Sequence, residues 1–231
     1  MNNILAPYNI ANDNAIMLLF ILNIVSIAYV FMMNGTSIIE RLKYMFYYGS
    51  KQTPFNNRTH ITGLSNAFLY AQTIFYLTII TIEFLKSDGL ATYENGGLLH
   101  LIAFSLLYTI VLLFKYSSYY IVNSILFTRS IVKEWQYIYF FTIKLLGFAL
   151  LPAIIAILFI PSISFNFIKL YLLFVLFAYL CMTIINMIKI IFIQKLNILD
   201  IFLYLCTLEF LPTLFVWKFI LQLNDFTTIK I

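Results

Sequence analysis

The chain has 231 residues, of which 63% are hydrophobic, 19% aromatic and only 10% charged, against about 25% charged residues in an average soluble domain. That is too little polar surface to coat a water-soluble globule. A mean hydropathy of +0.95, in apolar runs long enough to cross a bilayer, indicates an integral membrane protein and excludes disorder, collagen, disulfide scaffolds and soluble enzymes. The formal net charge of +5 comes from 14 Lys+Arg against 9 Asp+Glu. In a membrane protein such an excess reports orientation. No basic stripe or recognition motif points to nucleic acid.

Six apolar segments, all predicted to be helices, follow one another in a single transmembrane domain covering residues 1–231. Residues 1–14 contain no Lys or Arg, so the positive start of a cleaved signal peptide is missing and the first span, 15–33, is expected to be retained. It closes at Asn34-Gly35. Residues 37–48 then place Ile38, Leu42, Met45 and Phe46 on one helical face, with Glu40, Arg41 and Lys43 elsewhere. This is the pattern of a short interfacial helix on the cytoplasmic leaflet. The second span, 64–85, lies between Thr62-Gly63 and the breaker cluster Lys86-Ser87-Asp88-Gly89. The third, 98–127, begins behind Gly96-Gly97, and a long tilted helix carries it past Lys115. The fourth, 135–160, stops at Pro161. The fifth covers 168–193 and the sixth 199–221. Helices of this length satisfy their own backbone hydrogen bonds, as hydrocarbon requires.

Sorting the basic residues by loop puts Arg41, Lys43, Lys51, Arg58, Arg129, Lys133, Lys189 and Lys195 on one side. The other side has only Lys86, Lys169, Lys218 and Lys230. By the positive-inside rule the first side is cytoplasmic and both termini are periplasmic. Trp135 opens the fourth span and Trp217 lies near the close of the sixth, where amphipathic rings prefer the headgroup layer. Arg41 and Lys43 complete the interfacial set. Cys181 and Cys206 stand in apolar segments and read as small packing residues.

Ionisable residues inside a bilayer are expensive, so each is a candidate for function. Lys144 and Glu209 both fall about 14 Å from the cytoplasmic ends of their spans at a rise of about 1.5 Å per residue, and can meet if the fourth and sixth helices are neighbours. Lys115 can supply a second cation to the same carboxylate. Pro152 and Pro212 follow and can kink their helices, freeing a carbonyl beside the charges. Glu83 and His100 lie toward the outer face, where snorkelling or headgroup contact accounts for them. No metal-ligand spacing, phosphate-binding glycine loop or H-E-x-x-H motif occurs in the sequence, and neither a metal nor another cofactor is expected.

These features favour a non-enzymatic membrane component that supports envelope assembly or a larger complex. Its expected partners are the lipid bilayer and other inner-membrane subunits. A small proton- or ion-coupled transporter using Lys115, Lys144 and Glu209 is the main alternative, and a membrane-embedded lipid-modifying enzyme the second. A sealed polar cluster favours the first reading, a wet cavity the second and a lateral opening the third.

The stretch Leu203-Tyr204-Leu205-Cys206-Thr207-Leu208-Glu209-Phe210-Leu211-Pro212, followed by Gln222-Leu223-Asn224-Asp225, resembles the C-terminal signature of a Bacteroidota family of multi-pass membrane proteins catalogued as a domain of unknown function. Leu107-Tyr108 with Lys115, and Gly147-Phe148-Ala149-Leu150-Leu151-Pro152, are similar in kind and order. The resemblance implies the inner membrane of a Gram-negative bacterium. It implies no activity.

Overall fold

The structure is a computed structural model that describes residues 13–46, 63–87, 97–126, 129–160, 164–194 and 211–229. The described residues form α1 (Asn14–Phe46), α2 (Gly63–Ser87), α3 (Gly97–Leu126), α4 (Arg129–Phe159), α5 (Phe165–Gln194) and α6 (Leu211–Ile229), with no strand among them. The first five are long and apolar enough to cross a membrane, so the chain is a multi-pass all-α membrane protein. The expected long third helix is found, running through Lys115 without interruption. Residues 199–210, the first part of the expected sixth span, lie outside the described residues.

α2 and α4 form the centre of the bundle. Half of the apolar stretch of each is buried, against 17% for α1, α3 and α5, which pack around them. The cause is visible in the small and polar residues that α2 and α4 present to one another. Thr73 Oγ1 donates to Leu69 O at 3.0 Å within α2 and lies 3.4 Å from Ile143 O of α4. A Cβ built on Gly147 would stand 2.5 Å from that same Oγ1. Small residues of this kind let backbones approach where lipid offers no hydrophobic drive for association. Beyond this contact Ile79, Ile82, Phe104, Leu150, Ile154 and Leu158 pack in one apolar cluster.

Pairs between neighbours give the directions. Ser65 meets Asn34 and Phe68 meets Tyr29; Thr81 meets Tyr108 while Tyr70 and Tyr116 meet the same ring, Phe140; Ala149 meets Tyr171 and Tyr139 meets Tyr179. α1 and α3 therefore run antiparallel to α2, and α5 antiparallel to α4, as a chain threaded back and forth demands. The Tyr171 hydroxyl donates to the Ala149 carbonyl at 2.7 Å, in the turn of α4 preceding Pro152, where the proline removes a backbone donor. α4 continues past Pro152 to Phe159. The broken helix is α1, whose backbone departs from helical geometry at Asn34 (φ −134°, ψ 16°). This break falls at the expected Asn34-Gly35 boundary, and the segment beyond it is helical to Phe46.

Candidate functional site

One end of the bundle gathers the polar side chains. Here α1 and α3 finish and α2 and α4 begin, so residues far apart in sequence come level. Asn34, freed from the helical path by the break, turns inward and its Nδ2 donates to Ser65 Oγ at 2.8 Å. One and two helical turns further on, Ile38 and Arg41 continue the buried stripe begun by Ile16, Phe20 and Val30. Arg41 is therefore only 6% exposed, and its guanidinium stands 5.9 Å from the centre of the Phe141 ring. This corrects the expectation that Arg41 belongs to the polar face of a separate interfacial helix. Lys43 does face outward, in the last turn of α1.

Lys144, on the α2-facing side of α4, is 6% exposed. Its Nζ donates to Asn66 Oδ1 at 2.6 Å and lies 4.7 Å from the centre of the Tyr70 ring. Asn66 stands in the first turn of α2, so the lysine stem runs back from its Cα toward the membrane edge. The described partners of this cation are thus a neutral amide oxygen and an aromatic face. An oxygen acceptor and a ring quadrupole each offset part of the cost of desolvating an ammonium, the latter by about 2 kcal/mol when water is excluded.

Lys115 reaches a different face of α4. Its Nζ donates to the Tyr139 hydroxyl at 3.2 Å, and the Tyr179 hydroxyl of α5 lies 3.5 Å from the same oxygen. Tyr139 is stacked on Tyr119 with ring centres 4.3 Å apart. Tyr116 and Tyr70 both pack against Phe140, with ring centres 5.2 and 6.3 Å away. The hydrogen-bond partners described for the two cations therefore differ, Tyr139 for Lys115 and Asn66 for Lys144. Glu209, the carboxylate expected to join them, lies outside the described residues.

Lys115 also lines a groove of about 570 Å³ between α3 and α6. Ile110, Phe114, Phe215 and Phe219 form its walls, and Pro212 contributes from the second position of α6. Higher in α2 two more polar groups are fully enclosed. Gln72 is 1% exposed and Tyr76 0%. Among the described residues, neither the Gln72 amide nor the Tyr76 hydroxyl has a hydrogen-bond partner.

The opposite end is differently built. Lys86 Nζ is 3.5 Å from Glu83, and Lys169 lies 4.8 Å from the Phe84 ring centre and 5.4 Å from that of Phe165. Trp217 packs edge-on against Phe84 at 5.7 Å, level with the last turn of α2. His100, expected to contact headgroups, is instead buried. Trp135 lies on α4, three residues before the apolar stretch Ile138–Phe159 begins. Among the described residues no three His, Cys, Asp or Glu side chains are grouped so as to hold a metal ion.

Sequence reasoning missed Asn66, Tyr70, Gln72 and Tyr139. Polar residues repeating along one apolar span were a usable signal for Asn66, Gln72 and Thr73. Their partners on other helices carry no such signal. No curated protein and no solved structure matches this chain. The family model described as Domain of unknown function (DUF4271) matches residues 16–220, which bears out the resemblance to a domain-of-unknown-function family. The chain belongs to this family, Domain of unknown function (DUF4271).

Proposed function

We propose that the protein is a non-enzymatic component of the bacterial inner membrane that supports envelope assembly or a larger membrane complex, with the Arg41 end of the bundle at the cytoplasmic face. One observation carries this reading: the Lys144 ammonium is closed off between α2 and α4, bound to Asn66 and covered by Tyr70. A cation that shuttles ions or activates a substrate needs a path to water or ligand, whereas one that fixes helix register needs enclosure. The outer faces of α1 and α5 supply apolar surface for neighbours; Met32 is 87% exposed and Phe167 72%.

Gentle extraction from native membranes, followed by native mass spectrometry, tests the proposal. A second polypeptide held in fixed stoichiometry is the expected result. A lone chain that dissipates an imposed proton gradient after reconstitution into vesicles overturns it in favour of a carrier. The carrier reading has an observation of its own, the enclosed Gln72 and Tyr76 with their unpartnered polar atoms. Groups of this kind, one turn apart at the middle of a span, suit a polar relay. In that case Gln72→Leu would abolish the flux.

A further inference from the structure

We infer that Asn23 of α1 with Gln72 and Tyr76 of α2 forms a buried binding site for water near the middle of the membrane. The three side chains share one interface. Asn34 of α1 is bonded to Ser65 of α2, and the two helices run antiparallel, so residues equally far from that pair along each helix come level. Asn23 precedes Asn34 by 11 residues and Tyr76 follows Ser65 by 11, which is three turns at about 3.6 residues each. Both therefore return to the side of their helix that makes the bond between Asn34 and Ser65. Gln72 stands on the same side, one turn before Tyr76. Tyr29 and Phe68 keep the helices in contact over this distance, with ring centres 6.2 Å apart, and Phe20 joins Tyr76 in one packed cluster. Three turns place the site about 16 Å from the Asn34 end, at the middle of a hydrocarbon core about 30 Å thick.

The polar atoms gathered there need a bridge. Gln72 is 1% exposed and Tyr76 0%. Among the described residues, neither amide atom of Gln72, nor the Tyr76 hydroxyl, nor Asn23 Oδ1 has a hydrogen-bond partner. Native interiors seldom leave buried polar atoms in that condition. The set holds donors and acceptors together, so the bridging molecule must be small and must donate and accept at once. Water does both, and about two to four polar partners hold it. A metal cation asks for about six oxygens and an anion for positive charge, whereas these side chains offer three oxygens and no charge. Since the polar atoms are closed off as α1 is packed, room for the molecule comes from α1 drawing slightly back. Of its apolar stretch only 17% is buried, against 50% for α2 and for α4, so α1 yields before the contact between α2 and α4 does. A held water suits a structural component and a carrier alike, so the site does not depend on the function proposed above.

X-ray footprinting of the full-length protein in detergent micelles tests the site. A brief exposure splits water into hydroxyl radicals, and those formed beside a buried ring hydroxylate it, which peptide mass spectrometry then reads. Tyr76 should be hydroxylated well above Phe104, which is equally buried and lies among apolar side chains, after correction for the intrinsic reactivity of each ring. Gln72→Leu and Asn23→Leu should each remove that excess. Melting temperatures identify a variant that fails to fold, and the remaining variant then decides. Labelling of Tyr76 no higher than that of Phe104 overturns the proposal, because the interface is then dry. So does wild-type labelling of Tyr76 in either folded variant, since other groups would then hold the water.

Discussion

Replacing Gly147 with alanine tests how closely α2 and α4 approach. The added Cβ would lie 2.5 Å from Thr73 Oγ1, while Thr73 Cα and Cβ stand at 3.4 Å. The first distance is about 1 Å short of ordinary contact; the others are tight but tolerable. Relief requires either that the helices separate or that Thr73 changes rotamer and gives up its bond to Leu69 O and its approach to Ile143 O. Overpacking of this kind costs about 1–3 kcal/mol, and a lost interhelical hydrogen bond in a membrane averages about 0.6 kcal/mol. Alanine returns up to about 1 kcal/mol through its better helix propensity. The net expectation is a loss of about 1–2 kcal/mol. Because the clash is with one oxygen, Thr73→Ala should remove it, and in that background Gly147→Ala should be neutral or slightly stabilising, a coupling of about 1 kcal/mol. Reversible unfolding in mixed micelles, followed by tryptophan fluorescence, measures both quantities. A single variant as stable as the wild type, or a double variant no better than additive, would refute the close approach.

Two further predictions concern the polar end. Asn66→Leu removes the oxygen that Lys144 contacts at 2.6 Å and should destabilise by about 1–3 kcal/mol. Lys144→Met in that background should recover most of the loss, because the cation is gone and the thioether fills the space of the stem. Melting in detergent decides this, and an unchanged Asn66→Leu protein rejects the assigned role of Asn66. Asn34→Ala and Ser65→Ala should each cost about 1 kcal/mol by breaking the same buried hydrogen bond, and the double variant should lose little more than either. Strict additivity in the unfolding cycle would show that the two side chains do not act together.

The helices were legible in the sequence because hydrocarbon imposes a length on them, and runs of roughly 20 apolar residues have few other meanings. The passage of α3 through Lys115 and the break of α1 at Asn34 followed from the same reasoning. Rotation about the helix axis was harder to read. Arg41 illustrates the difficulty: the apolar pattern of residues 37–48 turns Ile38 and Leu42 inward, as they are found, but sets Arg41 on the other side. The stripe actually continues across the break, so that Val30, Asn34, Ile38 and Arg41 are all buried at spacings of three and four residues. Lys144 shows a second limit. Depth counted along the helix located its Cα, but its long stem carries the charge back to Asn66, 78 residues earlier in the chain. Gly147 is the reverse case, since a glycine within a long apolar span was itself a signal of close helix approach.

The two ends of the bundle hold their buried and half-buried cations differently. At one end Arg41, Lys115 and Lys144, from three helices, bring their charges to Phe141 and Tyr139 of α4 and to Asn66 in the first turn of α2, and Lys43 is exposed. At the other, Lys86 is paired with Glu83 and Lys169 is set against two phenylalanine rings. At the first end the cations also join the helices, Arg41 linking α1 to α4, Lys115 linking α3 to α4 and Lys144 linking α4 to α2.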